Sequence, residues 1–191
     1  MLASLEVVST GLFDANCVQK CKILRALKLH NCQVHDLNSI KDLPLESLVL
    51  NDVKGIEDFS FLSGFGGLKA LTLITPDRLD DPFKYLGQLK ELEYCLLQAA
   101  EEFEISMRGI EKNTGLRELI VSNPSRFDLK RCKQLERLSV IGGKMGDVEI
   151  KDLLSFESLS SLELFRVQMS QDNRDEIMQR FPFAAVVSTS N

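Results

Sequence analysis

A chain of 191 residues, 44% hydrophobic and 27% charged, has the composition of an ordinary globular protein. Its net charge of −5 excludes the basic field that nucleic acid or an anionic membrane surface would call for. No run approaches the roughly 20 apolar residues needed to span a bilayer. Met1 to Thr10 lacks the positive start of a secretory signal, since Glu6 interrupts its apolar run and the first lysine is Lys20.

The sequence repeats itself. Leu24 to Val34 reads L-x-x-L-x-L-x-x-C-x-V, and the same pattern starts at residues 2, 24, 45, 68, 92, 116, 135 and 159. The steps are 22, 21, 23, 24, 24, 19 and 24 residues. Fourth places hold Leu5, Leu27, Leu48, Leu71, Cys95, Leu119, Leu138 and Leu162. Sixth places hold Val7, Leu29, Leu50, Leu73, Leu97, Val121, Val140 and Leu164. In the fifth unit, Leu89 and Leu92 offer competing frames. Places four and six are two apart, so in a strand both point to one face. One unit cannot bury that face alone, whereas stacked units bury it against one another.

This consensus resembles the leucine-rich repeat family. The resemblance implies an α/β solenoid: a curved right-handed superhelix, with a parallel sheet on the concave face and helices or helical turns on the convex one. It implies one domain over 1–191, closed by a C-terminal helix and strand within 170–191. Outer segments rich in helix resemble the cysteine-containing and ribonuclease-inhibitor-like subtypes. Units of 21 and 22 residues resemble the shorter phosphatase-regulatory type. Both stay open. The chain departs from the family at the ninth place, which holds Thr10, Cys32, Val53, Pro76, Ala100, Pro124, Gly143 and Val167 and never the family's Asn.

Between the strands, the return segments read in order as follows. Phe13, Cys17 and Cys21 fall at i, i+4 and i+8, which predicts a helix over 13–22. Residues 34–44 predict a helical turn or two, with Leu37, Ile40 and Leu43 inward. Residues 56–65 carry Phe59, Phe61, Leu62 and Phe65 before the stop at Gly66-Gly67. Asp81-Pro82 predicts a capped helix start, with Phe83, Leu86 and Leu89 following at helical spacing. Residues 105–112 predict a helix ending near Gly115, and 126–134 a 3₁₀ or irregular turn. Residues 148–156 and 170–180 predict helices, the second with Ser170 as its cap. Phe181-Pro182 ends that helix, because the residue before proline avoids the α region. Val186-Val187 then predicts a ninth strand that covers the edge beside Leu162 to Leu164.

Chemistry is sparse. Cys17, Cys21, His30 and Cys32 are spaced to suggest zinc. Yet the repeat puts the first two outside, His30 on the inner sheet and Cys32 in the core. No metal, cofactor or catalytic site is expected, and hence no enzyme. Gly64 to Gly67 lacks the lysine of a phosphate loop. Glu101-Glu102-Phe103-Glu104 and Asp80-Asp81 read as solvated surface. Five cysteines, an odd number, read as small buried hydrophobes and suit the reducing cytoplasm or nucleus. Leu2 already opens a unit, as a piece of a longer protein would.

What remains is the concave surface, formed by places three, five and seven. From the third unit onward it carries an apolar stripe: Val49, Ile74, Tyr94, Leu96, Ile120, Ile141 and Phe165. Glu118, Arg137, Glu163 and Arg166 flank it, and Asn51 joins the candidate contact residues. An apolar patch with a charged rim marks a partner surface, although strand propensity alone also favours Val and Ile there. The expected function is protein binding through this face, as an intracellular adaptor or recognition domain. The alternative is an extracellular or secreted recognition protein, an adhesin or effector.

Overall fold

In the computed structural model, described over residues 2–56, 58–76, 82–125 and 129–189, strands and short return segments alternate along the chain. The strands are β1 (Ser4–Val8), β2 (Leu12–Phe13), β3 (Ala26–His30), β4 (Gln33–Val34), β5 (Ser47–Asn51), β6 (Ala70–Ile74) and β7 (Tyr94–Gln98). They continue with β8 (Ile105–Ser106), β9 (Glu118–Ser122), β10 (Pro124–Ser125), β11 (Arg137–Ile141), β12 (Ser161–Gln168) and β13 (Ala185–Thr189). Helices are α1 (Phe83–Leu86), α2 (Asp147–Leu154) and α3 (Gln171–Arg180). Nine strands form one parallel sheet in the order β1-β3-β5-β6-β7-β9-β11-β12-β13.

The register is what the repeat demands. Leu5 pairs Leu27, Leu27 pairs Leu48, and Leu48 pairs Leu71. Cys95 then pairs Leu119, Leu119 pairs Leu138, and Leu138 pairs Leu162. Equal places therefore stack on one another, about 4.8 Å apart. From Leu27 onward every fourth- and sixth-place side chain is at most 2% exposed. These rows are the sheet side of a core that Leu24, Ile40, Leu62, Leu89, Ile110 and Phe156 complete from the rest of each unit. At the first unit Leu5 and Val7 are only half-buried and Leu2 is 44% exposed, because β1 has a neighbour on one side only. The frame at Leu92 holds in the fifth unit, since Cys95 and Leu97 are buried there.

The return segments at 13–22, 56–65 and 105–112 form 3₁₀ turns, and helices were expected at 13–22 and 105–112. Residues 13–22 form only a 3₁₀ turn, Ala15–Val18. Three residues per turn put Ala15 and Val18 on the inward face, so Cys17 is exposed and Cys21 half-buried. Residues 56–65 likewise narrow to a 3₁₀ turn, Ser60–Gly64. Residues 105–112 split into β8 and a 3₁₀ turn at Ile110–Lys112. A local side-chain bond explains the first two. Asp14 accepts from the Asn16 amide at 3.0 Å and Asp58 from the Ser60 amide at 2.7 Å, and Asp36 does the same for Asn38 at 2.7 Å. Each carboxylate starts a tight turn where a full helix would need more chain. Asp81 and residues 126–128 lie outside the described residues.

The C-terminal end follows the sequence closely. Ser170 Oγ accepts from the Asn173 amide at 3.2 Å and caps α3. Phe181 ends α3 and is 1% exposed. β13 then lies parallel beside β12, with Val186 paired to Leu164.

Candidate binding face on the inner sheet

On the inner face the fifth-place row runs Glu6, Lys28, Val49, Thr72, Leu96, Ile120, Ser139 and Glu163, each paired to the next. Ile120 stands between Leu119 and Val121, which are fully buried. Its lateral neighbours are Leu96 and Ser139, with Ile141 on the diagonal. Val49, Asn51, Ile74, Tyr94, Leu96, Glu118 and Ile120 are half-buried, whereas Arg137, Ile141, Glu163 and Phe165 are exposed. The eleven candidate residues thus share one sheet face.

The stripe is not continuous. Ser122, a seventh-place residue expected on this surface, is 7% exposed. Its hydroxyl turns to the chain of the previous unit, accepting from the Ala99 amide at 3.1 Å. Gln98 beside Ile74 is exposed. The seventh-place row is therefore apolar at Ile74 and again at Ile141 and Phe165. Between them the apolar floor is carried by Leu96 and Ile120 in row five.

Charges on this face pair with one another. Glu6 lies 3.5 Å from the Lys28 ammonium and 3.9 Å from His30 Nε2. Arg137 donates to Glu118 across β9 and β11, and Glu118 raises the Arg137 pKa. Ser139 Oγ donates to Glu163 at 3.2 Å. Tyr94 sits at the edge of the floor. Burial pushes its phenol pKa up, while a hydrogen bond with Thr72 works against that shift.

The strand ends matter as well. Residues at the eighth place turn the chain out of the sheet with positive φ: Asn31 at 54°, Asp52 at 51°, Asn123 at 43°, Gly142 at 74° and Arg166 at 56°. Asn, Asp and Gly enter this region at least cost. Asn123, one residue before the ninth place, also ties its turn to the loop of the previous unit. Its Nδ2 donates to the Phe103 carbonyl at 3.1 Å and the Glu101 carbonyl at 3.3 Å. At the ninth place itself, Cys32, Val53 and Val167 turn into the core, at 2%, 6% and 0% exposure. The recurrence of Asn, Asp and Gly one residue earlier was visible in the sequence.

Among the described residues, no three His, Cys, Asp or Glu side chains gather as a metal ion requires. Cys17 is exposed on the outer turn, His30 is half-buried on the inner sheet and Cys32 lies in the core. Two clefts of about 250 and 290 Å³ run along the convex side past His35 and Asp36, and a third of about 340 Å³ lies by Asn123 and Gly143. None of the three is lined by a residue of the stripe.

Stacked units with an in-register parallel inner sheet, tight outer returns and a leucine core define a leucine-rich repeat solenoid. Two solved structures from Listeria monocytogenes are similar in shape. Against an internalin C2 the TM-score is 0.74 at 21% identity, over 99% of this chain and 80% of that one. Against an internalin (inlF) it is 0.68 at 16% identity, over 97% of this chain and 61% of that one. At such identities the likeness is one of fold. No protein-family model matches the chain, and no curated protein does.

Proposed function

We propose that the chain is a non-enzymatic protein-binding module that takes its partner on the concave sheet. One observation carries this reading. Leu96, Ile120, Ile74 and Val49 form an apolar floor on a rigid sheet, while the charges beyond it already pair with one another. Such a floor gives up water cheaply, and its flanking charges set orientation. A run of half-buried apolar side chains on one sheet face is the kind of surface that a partner covers.

Two aspartate substitutions test it. Ile120→Asp keeps the fold at a cost of about 1 kcal/mol, because the side chain is only half-buried and the loss is that of an aspartate in a central strand. Leu119→Asp, one residue away and buried, unfolds the protein. Ile120→Asp should also lose most of the partner capture seen in a pull-down with the wild type. A folded Ile120→Asp protein that captures its partner at full strength moves the site to the convex face or the loops.

We also read the chain as an intracellular adaptor or recognition domain of the cytoplasm or nucleus. In support, Cys32, Cys95 and Cys132 sit in the core as small apolar residues. The tight 3₁₀ returns of the first three units favour the short phosphatase-regulatory-like subtype. The shape likeness to two internalins favours a second reading, an extracellular or secreted adhesin or effector. Localisation of a tagged full-length protein decides between them: signal confined to the medium or cell surface sinks the intracellular reading.

A further inference from the structure

The concave face ends in a patch unlike its middle. Ile141, Phe165 and Val187 stand side by side in register on β11, β12 and β13, at 37%, 45% and 53% exposure. Among the described residues of the inner face, only Val8 at the far end is a comparably open large apolar side chain.

The next residue, Arg166, has a φ of 56° and lies where the pairing of β12 with β13 shifts register. Asn, Asp, Asn and Gly hold the equivalent turns in four other units. An arginine there gives up stability that those residue types keep. The fold gains little in return. The Arg166 side chain is 60% exposed. Its guanidinium lies 5.2 Å from the Phe165 ring centroid and 3.4 Å from a carboxylate oxygen of Glu101, itself 93% exposed. Such exposed contacts are weak in water. The strained turn thus holds a forked cation over a ring, at the edge of an open apolar shelf.

We propose that this patch binds a partner segment presenting a carboxylate beside an aliphatic or aromatic side chain. The apolar side chain seats on Ile141, Phe165 and Val187. The carboxylate takes the Arg166 guanidinium through paired N–H donors and displaces Glu101. This rests on reading the concave face as the partner surface, and it names the chemistry of that partner.

An array of ten-residue peptides tests it, with central Glu-Leu and Glu-Phe pairs and matched series in which Gln or Lys replaces Glu. Wild-type protein is expected to favour the Glu series over the Gln series by about tenfold, less so as salt rises. Arg166→Asn, which copies the turns at Asn31 and Asn123, should erase that preference while the melting temperature holds or rises. Equal capture of Glu and Gln series, preference for Lys, or no capture of any series overturns the proposal. So does an Arg166→Asn protein that keeps the preference, or one that melts earlier, since the arginine then serves the fold. Ile120→Asp separates the two levels. A partner lost with Ile120→Asp but indifferent to Arg166→Asn leaves the concave reading standing and removes this ligand class, whereas a partner indifferent to Ile120→Asp removes the reading beneath it.

Discussion

The same substitution at the same place in two units measures how the solenoid is held together. Leu138 is 1% exposed, with Leu119 on one side and Leu162 on the other. Leu5 holds the equivalent place in β1, is only half-buried, and has Leu27 on one side alone. Leu→Ala removes three carbons, about 2.4 kcal/mol at roughly 0.8 kcal/mol for each buried methylene. At Leu138 the neighbours are fixed by the sheet and a cavity remains, which places the loss at about 2–5 kcal/mol. At Leu5 water fills the space and part of the side chain was wet already, so the loss is about 1 kcal/mol or less. For a chain of this size each kcal/mol lowers Tm by about 2–4 °C. Urea denaturation followed by circular dichroism, with m-values compared, reads both variants. Equal losses at the two sites would show that the open end is not open. An unchanged Leu138→Ala midpoint would break the stacking of places on which the whole fold rests.

Cysteine labelling at pH 8 should separate Cys17 from Cys95: Cys17 is exposed and reacts, whereas burial pushes the Cys95 thiol up to about 12 and shields it. Equal native rates at the two sites would contradict that burial, and urea should make all five thiols reactive. Asn113→Asp should destabilise by about 3 kcal/mol or more at neutral pH, because the Asn113 amide donates to the Leu86 and Leu89 carbonyls at 2.9 and 3.0 Å and a carboxylate cannot. A carboxyl buried there has its folded pKa raised above the unfolded value. The variant is therefore most stable below about pH 3.9, the unfolded value, and loses stability as pH rises from there through the higher folded value. A loss in the variant that does not shrink on acidification would count against the burial of that side chain.

The repeat made the sheet side of the core legible because two places in each unit always carry Leu, Val or Cys. The concave face was legible for the same reason, since strand alternation turns Ile120 out wherever Leu119 turns in. The return segments at 13–22 and 105–112 were not, because an apolar spacing of three or four residues fits a 3₁₀ turn as well as an α-helix. What settles Ala15–Val18 is the Asp14 side chain closing the turn, a contact that periodicity does not report. Ser122 was misplaced for a related reason. Its row says outward, but a hydroxyl within reach of the Ala99 amide finds a partner by turning back. Asn113 carried no signal, because its two carbonyl partners lie 27 and 24 residues away.

The location of the apolar floor also follows from where the charges go. Second-place residues alternate in sign from unit to unit: Arg25, Glu46, Lys69, Glu93, Arg117 and Glu136. Their backbones stack strand on strand, as the Glu46 amide donating to the Arg25 carbonyl and the Lys69 amide to the Glu46 carbonyl show. Glu46 lies 3.6 Å from Arg25 and 3.1 Å from Lys69, and Arg117 lies 2.8 Å from Glu136. Glu46 and Glu93 both hold the Lys69 pKa up. These charges sit at the strand starts and satisfy one another there, outside the inner face. On that face the remaining pairs, Glu6 with Lys28 and Glu118 with Arg137, lie toward the two ends. An interface that buries an unpaired charge loses more than it gains. A partner therefore finds its least costly uncharged contact between those pairs, over β5, β6 and β7 and as far as Ile120, where Val49, Thr72, Leu96 and Ile120 line row five. Contacts there should be nearly indifferent to salt, whereas those near Arg166 should weaken with it.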